Sequence, residues 1–179
     1  MTVHNFTKSL AASHDFEDAG WWEVVYRNAF HNFAGMTNTR EDGWAQRGGI
    51  DRVVSLGSGK TLTIDEKVRT KDYPDILLER WSDRDRKAPG WVQQDLACDY
   101  IAYAFIPSQR CYLLPFQELR RAWIQHGREW ANQYPAVLAR NERSGRKWVT
   151  ECVPIPIPVL KEALIAVSEI SWAPELVPA

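Results

Sequence analysis

The sequence predicts an α/β (α+β) fold in which a mixed central sheet is flanked by helices, within a single domain of 179 residues. Two segments rich in β-branched residues, Ile50–Leu56 and Thr61–Val68, are joined by a Gly-Ser-Gly turn and are typical of a β-hairpin. Before them, residues 15–33 carry apolar side chains at i, i+3 and i+4 spacing. That spacing predicts a helix with one face packed on the sheet.

The other elements follow in order along the chain. Residues 34–49 are polar and contain several glycines, which predicts a loop. Asp75–Trp81 is apolar enough for a central third strand. Residues 91–105 have helical spacing, and Arg110–Pro115 predicts a short strand. The predicted order over residues 15–115 is therefore helix, three strands, helix and strand.

A C-terminal extension is predicted over residues 116–179. It begins with a long helix over Phe116–Tyr134 and continues with a loop over residues 135–147 that contains a basic run. Residues 148–153 predict an extra strand. A Pro-Ile-Pro-Ile-Pro segment ends that strand and leads to a helix near residues 159–170, because proline is tolerated in the first turn of a helix.

The composition limits the classes of protein to consider. A net charge of −1 argues against a protein that coats nucleic acid non-specifically, although it allows a local basic groove. No apolar run approaches the roughly 20 residues of a membrane span, and the first residues lack the apolar core of a signal peptide. Most of the nine tryptophans are predicted to be core, and a few could stack on bases. An odd number of widely spaced cysteines predicts a reduced, cytoplasmic protein with neither a disulfide framework nor a zinc site: Cys98, Cys111 and Cys152.

Acidic and basic residues are predicted to converge at one end of the hairpin. Alternate residues of a strand share a face, so Asp65 and Lys67 lie on one side of the second strand and Glu66 on the other. The hairpin can place Asp51, at the start of the first strand, beside Asp65 and Lys67. Two carboxylates and a lysine can hold a divalent cation and a water. A charge cluster on an ordinary hairpin is the alternative.

This pattern, Asp51 followed across a turn by Asp65-Glu66-Lys67, resembles the motif of the PD-(D/E)XK nuclease superfamily. The predicted order of elements likewise resembles the αβββαβ core of its restriction-endonuclease-like fold. The resemblance implies metal-dependent hydrolysis of DNA, with RNA as an alternative substrate. Asp51 and Asp65 would bind Mg²⁺ or Mn²⁺, the backbone carbonyl of Glu66 would add a ligand, and Lys67 would orient or deprotonate the attacking water. Ile50 replaces the proline of the motif.

The charged Glu66 leaves the identity of the second acid open, because the motif usually has an apolar residue there. A regular strand places Glu66 among apolar neighbours, where burying an unpaired carboxylate would be unfavourable. We therefore expect Glu66 to find a basic partner or to lie at the rim of the sheet, and Asp65 to be the ligand. A β-bulge would shift the register by one residue and exchange the two roles.

Two further acids are candidates for the site. Glu23 lies on the first helix, which supplies a metal-binding glutamate in several branches of the superfamily, but it could instead pair with Arg27 at i, i+4. Glu79 lies on the third predicted strand, within reach of the motif if the two strands pair antiparallel. The alternative for Glu79 is an ion pair with an arginine at the sheet edge.

Several polar and basic residues are predicted to contact nucleic acid. The basic run at residues 140–147 carries four positive side chains against Glu142, which is 4 − 1 = +3. Solvated surface is the alternative for that run, and a flexible turn is the alternative for residues 46–49. The predicted contact residues are Gln46, Arg47, Arg69, Lys71, Arg143, Arg146 and Lys147.

Two other functional classes stay open from the sequence. One is a catalytically silent module with the nuclease fold that binds nucleic acid or a protein partner, although such modules usually lose the acids or the lysine. The other is an enzyme for a small phosphorylated molecule, for which no glycine-rich phosphate motif is present. A homodimer is also open.

Overall fold

A computed structural model describes residues 19–39 and 42–173, apart from the side chains of Gln46 and Arg47. These residues form two compact units of mixed α/β structure. The six-stranded unit contains residues 19–39, 42–72, 97–115 and 167–173. The four-stranded unit contains residues 73–96 and 116–166. The predicted division at residue 115 therefore differs from the division into units, because residues 73–96 belong with the C-terminal segment.

The six-stranded unit is built on one mixed sheet. The strands lie in the order β1-β2-β3-β6-β7-β10, and β3 and β6 are parallel while the other neighbouring pairs are antiparallel. Its helices and strands are α1 (Trp21–Ala29), β1 (Phe33–Asn38), α2 (Gly43–Arg47), β2 (Arg52–Leu56), β3 (Thr61–Arg69), β6 (Tyr100–Phe105), β7 (Arg110–Pro115) and β10 (Ser168–Ser171).

Helix α1 packs its apolar stripe on one face of this sheet. Trp22, Val25 and Tyr26 are fully buried in a cluster with strand residues that include Ile64. Burying each such side chain contributes roughly 1.5–3 kcal/mol. The predicted stripe is thus confirmed within α1. The helix ends at Ala29, four residues before the predicted end, because the chain turns through a positive φ of 64° at Asn32 and then enters β1. The predicted start at residue 15 lies outside the described residues.

Two segments of this unit differ from their predicted structure. The predicted loop over residues 34–49 contains β1, which pairs antiparallel with β2, and the short helix α2. The predicted helix over residues 91–105 is wrong. Trp91–Gln93 is a 3₁₀ turn, and Tyr100–Phe105 is the buried strand β6. A short continuous apolar run suits a buried strand as well as a helix, so its periodicity does not distinguish them.

The four-stranded unit has an antiparallel sheet in the order β5-β4-β9-β8. Its buried apolar strand residues are Ile76, Leu78, Val153 and Ile155. The helix over Phe116–Gln133 and the strand at residues 148–153 are confirmed, the latter as part of β9. The elements are β4 (Asp75–Asp83), β5 (Ala88–Pro89), α3 (Phe116–Gln133), β8 (Val137–Arg143), β9 (Arg146–Pro156) and α4 (Ile157–Ala163).

Three predictions about these segments are wrong. Strand β4 pairs with β5 and β9 and not with the hairpin, because an apolar pattern identifies a strand without identifying its partner. The predicted loop at residues 135–147 is mostly the β8–β9 hairpin, whose turn has positive φ values of 51° at Ser144 and 77° at Gly145. The predicted helix at 159–170 is divided between α4 and β10. No helix in the described part of the chain is long and apolar enough to cross a membrane.

Candidate functional site

The β2–β3 hairpin brings the two predicted acids next to each other. Arg52 pairs with Ile64 and Ser55 with Thr61, so the register is regular over these four residues of β2, as predicted. Asp51 directly precedes β2, and its backbone N–H donates a hydrogen bond of 2.9 Å to the carbonyl of Ile64. The Asp51 carboxyl is a hydrogen-bonding neighbour of the Asp65 carboxyl.

Three polar groups meet at this position. The backbone N–H of Glu66 donates to Asp51 Oδ2 at 2.8 Å, which holds that carboxylate against β3. Lys67 Nζ donates to Asp65 Oδ1 in an ion pair. Only 4% of Asp65 is exposed, whereas Asp51 is half-buried. The structure therefore brings together Asp51, Asp65 and Lys67.

Burial controls the protonation of Asp65. It raises the pKa of that carboxyl to about 7, a rise that Lys67 opposes and the neighbouring Asp51 increases. Two carboxyls with one lysine thus leave a site in which further positive charge would be favourable. Carboxylate oxygens are hard ligands, and Mg²⁺ is commonly held by one or two of them together with water. The donor set therefore fits Mg²⁺ or Mn²⁺.

The candidate metal site has two carboxylate side chains, those of Asp51 and Asp65. Within residues 19–39 and 42–173, no group of three or more His, Cys, Asp or Glu side chains is arranged to hold a metal ion. Cys98 lies near Asp65, and burial together with that neighbour raises the pKa of its thiol to about 12. All three cysteines are free thiols. A soft thiolate is therefore not part of this oxygen site.

Glu66 occupies the opposite face of β3 and finds the basic partner that strand alternation requires. Arg52 donates from Nε to Glu66 Oε1 at 3.0 Å and from a terminal nitrogen to Oε2 at 3.2 Å. The hydroxyl of Tyr26 donates to the same Oε1 at 2.6 Å. The Arg52 and Glu66 side chains are only 6% and 4% exposed. Burial raises the pKa of Glu66, and Arg52 and Tyr26 partly offset that rise.

This arrangement limits what Glu66 can contribute to a metal centre. Its side chain is held beneath α1, so only the backbone carbonyl of Glu66 remains a candidate ligand. The sequence analysis missed Arg52 as its partner. The signal was present, because Arg52 alternates with Val54 on the buried face of β2, where an unpaired arginine would be unfavourable.

The two additional candidate acids lie elsewhere. Glu23 is exposed and pairs with Arg27 at 2.5 Å, which is the alternative expected from their i, i+4 spacing. Helix α1 packs on the Glu66 side of the sheet, opposite the face of Asp65. Glu79 lies on β4 across from Cys152 and accepts a 3.4 Å hydrogen bond from the backbone of Trp91. The expectation that its strand pairs with the hairpin is wrong.

The predicted nucleic-acid contacts are divided between the units. Arg69 lies on the Asp65 face of β3 and donates to the hydroxyl of Tyr103 at 3.0 Å, and Lys71 is exposed just beyond that strand. The side chains of Gln46 and Arg47 lie outside the described part of the chain. Arg143, Arg146 and Lys147 lie at the β8–β9 turn of the four-stranded unit.

The basic run carries less free charge than its sequence suggests. Arg146 pairs with Asp83 at 3.1 Å, and Lys147 pairs with Glu142 at 3.6 Å. Asp83 belongs to β4 and was not counted in the local sum of charges. The prediction of an uncompensated +3 run therefore needs correction, since strand pairing brings in an acid from a distant part of the chain.

The free energy of unfolding of the metal-free wild-type protein is expected to fall as the pH rises. Replacing Asp65 by Asn should abolish the part of this fall that comes from Asp65. An acid with a raised pKa contributes stability below its unfolded pKa, near 3.8, and this contribution is lost as the pH rises through 7. Each pKa unit corresponds to about 1.4 kcal/mol, so the variant should gain up to about 3 kcal/mol relative to wild type between pH 5 and pH 8. Urea unfolding of both proteins in EDTA measures this difference. If the difference in unfolding free energy between variant and wild type is the same at pH 5 and at pH 8, this prediction is wrong.

The hairpin brings together the side chains predicted for the site. Asp51 and Asp65 present carboxylate oxygens, Lys67 presents a cationic donor beside them, and the Glu66 N–H holds the Asp51 carboxylate. Comparisons of the chain with models of known families, with curated proteins and with solved structures gave no match.

Proposed function

We propose that this protein is a metal-dependent nuclease that hydrolyses phosphodiester bonds, with DNA as the expected substrate. The observation that carries the proposal is the proximity of the Asp51 and Asp65 carboxyls, with Lys67 bonded to Asp65. These are the residues that resemble the PD-(D/E)XK motif. A short motif in sequence gains weight when its members lie together in the fold.

Each residue of the site has a distinct role in the proposed reaction. Asp51 and Asp65 would hold Mg²⁺, which when bound neutralises phosphate charge and lowers the pKa of a coordinated water. The Glu66 N–H keeps the Asp51 carboxylate in position at 2.8 Å. Lys67, anchored by Asp65, can orient the attacking water and stabilise negative charge that develops on the phosphate oxygens.

The order of elements supports a restriction-endonuclease-like fold for the six-stranded unit. Helix α1 precedes the antiparallel strands β1, β2 and β3, and β6 then lies parallel to β3. The αβββαβ core has a helix in the connection to this last strand. Here that connection contributes residues 73–96 to the four-stranded unit, which is a departure from the pattern.

An exposed aromatic residue favours nucleic acid over a small phosphorylated substrate. Trp44 on α2 is 81% exposed. The next residue, Ala45, accepts a 2.9 Å hydrogen bond from the backbone of Ile50, immediately before Asp51. The residue after Trp44 is therefore hydrogen-bonded to the segment that leads into the acidic site. Stacking of a base on such a ring contributes roughly 1–3 kcal/mol and tolerates any base sequence.

Digestion of end-labelled duplex, single-stranded and branched DNA, together with RNA, is expected to give metal-dependent cleavage. The reaction should proceed with Mg²⁺ or Mn²⁺ and stop in EDTA, because the proposed mechanism depends on a bound divalent ion to lower the pKa of the attacking water. Calorimetric titration of the same metals provides the control. Binding of an oligonucleotide without metal binding or cleavage would instead assign a silent module, and would overturn the proposal.

A further inference from the structure

Two nearly buried carboxylates in the four-stranded unit are each shared by two arginines. The first is Glu151 on β9, whose Oε1 contacts Arg80 at 3.4 Å and whose Oε2 contacts Arg84 at 2.9 Å. The register of β4 and β9 shifts between Glu79 and Trp81, so Arg80 is the extra residue of a β-bulge. A bulge re-aims the side chain it carries, and here that side chain reaches the acid. We call these two arginines the Glu151 pair.

The second shared carboxylate is Asp83, at the end of β4. Its Oδ2 contacts Arg146 of β9 at 3.1 Å and Arg86 at 3.7 Å, the latter in the turn over residues 84–87. The backbone N–H of Arg86 also donates to Asp83 at 3.4 Å, which holds the turn against the strand. We call Arg86 and Arg146 the Asp83 pair.

Sharing leaves each pair with an excess of positive charge. One carboxylate neutralises one guanidinium, so the two pairs and their two acids carry a formal charge of 4 − 2 = +2. Asp85 and Lys87 belong to the same turn and cancel each other. Among the residues that the structure describes, no other acid pairs with these four arginines. Positive charge is thus concentrated here in a chain whose net charge is −1.

Burial of the two acids holds the arginines in place and leaves the arginine side chains partly exposed. The acid side chains are 10% and 11% exposed, whereas those of the four arginines are 39%, 51%, 58% and 69% exposed. Two indole rings add further contacts. The Arg80 guanidinium lies 5.4 Å from the centre of the Trp81 ring. The Arg146 guanidinium lies 5.8 Å from the centre of the Trp148 ring, so one arginine of each pair is also held by a cation–π contact.

Phosphate groups suit this arrangement of charge. A guanidinium has five N–H donors, more than one carboxylate can accept, and its planar fork matches phosphate oxygens. An arginine that is already held loses less side-chain entropy when an anion binds. Arg84 and Arg86 are two residues apart, so their Cα atoms are separated by at most about 7 Å. Two adjacent sites with an excess charge of +1 each suit the repeated single charges of a phosphodiester chain better than one small anion.

We propose that the Glu151 pair and the Asp83 pair bind the phosphodiester backbone of DNA. The choice of DNA rests on the proposed function, but the surface uses neither Asp51 nor Asp65. Of the four arginines, only Arg146 was among the contacts predicted from the sequence. Backbone contacts of this kind fix the position of a nucleic acid without reading its base sequence.

Titration of a fluorescently labelled DNA duplex with the full chain, followed by anisotropy in EDTA over a series of salt concentrations, tests this surface. Arg84→Gln combined with Arg86→Gln removes one cation from each pair. Arg80 and Arg146 remain to neutralise the two acids, so the fold should be kept. We expect the double variant to bind at least about tenfold more weakly. Its slope of log association constant against log salt should be smaller by about 1.8, because each phosphate contact contributes about 0.9.

Arg121→Gln combined with Arg128→Gln is the matched control. It makes the same change of charge at two exposed residues of α3 in the same unit, and it should keep the wild-type salt slope. Arg84→Lys combined with Arg86→Lys keeps the charge but loses the planar fork. We therefore expect weaker binding with the wild-type slope. Thermal melting checks that every variant is folded.

Equal affinity of the Arg84→Gln, Arg86→Gln variant and the α3 control for DNA would overturn the proposal. So would competition by polyglutamate that equals competition by unlabelled DNA at the same concentration of charge, because the surface would then accept any polyanion. The assay needs neither metal nor cleavage. Weakened binding by the variant therefore supports this surface even if the protein cleaves nothing, and cleavage with unaltered binding supports the metal site alone.

Discussion

Replacing Asp51 by Asn, Asp65 by Asn or Lys67 by Ala is expected to reduce metal-dependent cleavage by more than about 100-fold, the effect of losing one preorganised electrostatic contact. The two acids are neighbours at one end of the hairpin, and Lys67 is bonded to Asp65. Each change removes a proposed metal ligand or the cationic donor while preserving the strand pairing of the backbone. Initial rates on the preferred labelled substrate, measured with saturating Mn²⁺, give the loss for each variant.

Glu23→Gln is the matched control for these variants. It makes the same carboxyl-to-amide change on α1, where Glu23 pairs with Arg27 on the exposed side of the helix. We expect the wild-type rate for this control and cooperative melting for all four proteins. Full activity in any two of the three site variants would end the assignment of the hairpin as a nuclease centre.

Replacing Arg52 by Ala is expected to lower the free energy of unfolding by roughly 3–5 kcal/mol, because it leaves the Glu66 carboxylate buried without its partner. Both side chains are almost fully buried, and they form two hydrogen bonds at 3.0 and 3.2 Å. Such a loss is a large part of the 5–15 kcal/mol that typically stabilises a folded domain. Urea unfolding at pH 7 measures it.

An exposed ion pair in the same unit provides the comparison. Arg27 and Glu23 are 61% and 50% exposed, so Arg27→Ala should change the free energy of unfolding by less than about 1 kcal/mol. If Arg52→Ala is no more harmful than Arg27→Ala, the buried pair does not stabilise the hairpin as described.

Glu66→Gln is expected to retain Mn²⁺ affinity, whereas Asp65→Asn is expected to lose it. The reverse result would mean that the strand register is wrong by one residue.

The local pattern of the sequence determined the β2–β3 hairpin. It also determined that Asp65 and Glu66 lie on opposite faces of β3. Strand alternation depends only on backbone geometry, so it separates Asp65 from Glu66 wherever the strand lies in the fold. The same argument predicted that Glu66 would find a basic partner or lie at the rim of the sheet, and the structure shows the partner, Arg52. Helix α3 and strand β7 were likewise predictable, because proline, turn residues and apolar spacing mark their ends within a few positions.

The tertiary structure decided which elements are neighbours. Strand β1 pairs with β2 although its sequence reads as a loop, and β4 joins a separate sheet although it reads as a neighbour of the hairpin. Arg52 became the partner of Glu66, and Asp83 the partner of Arg146, through strand pairing between distant segments. The periodicity of a sequence indicates which side of a helix or strand is apolar. The free energy that selects the neighbouring element comes from burying that side against residues far away in the chain.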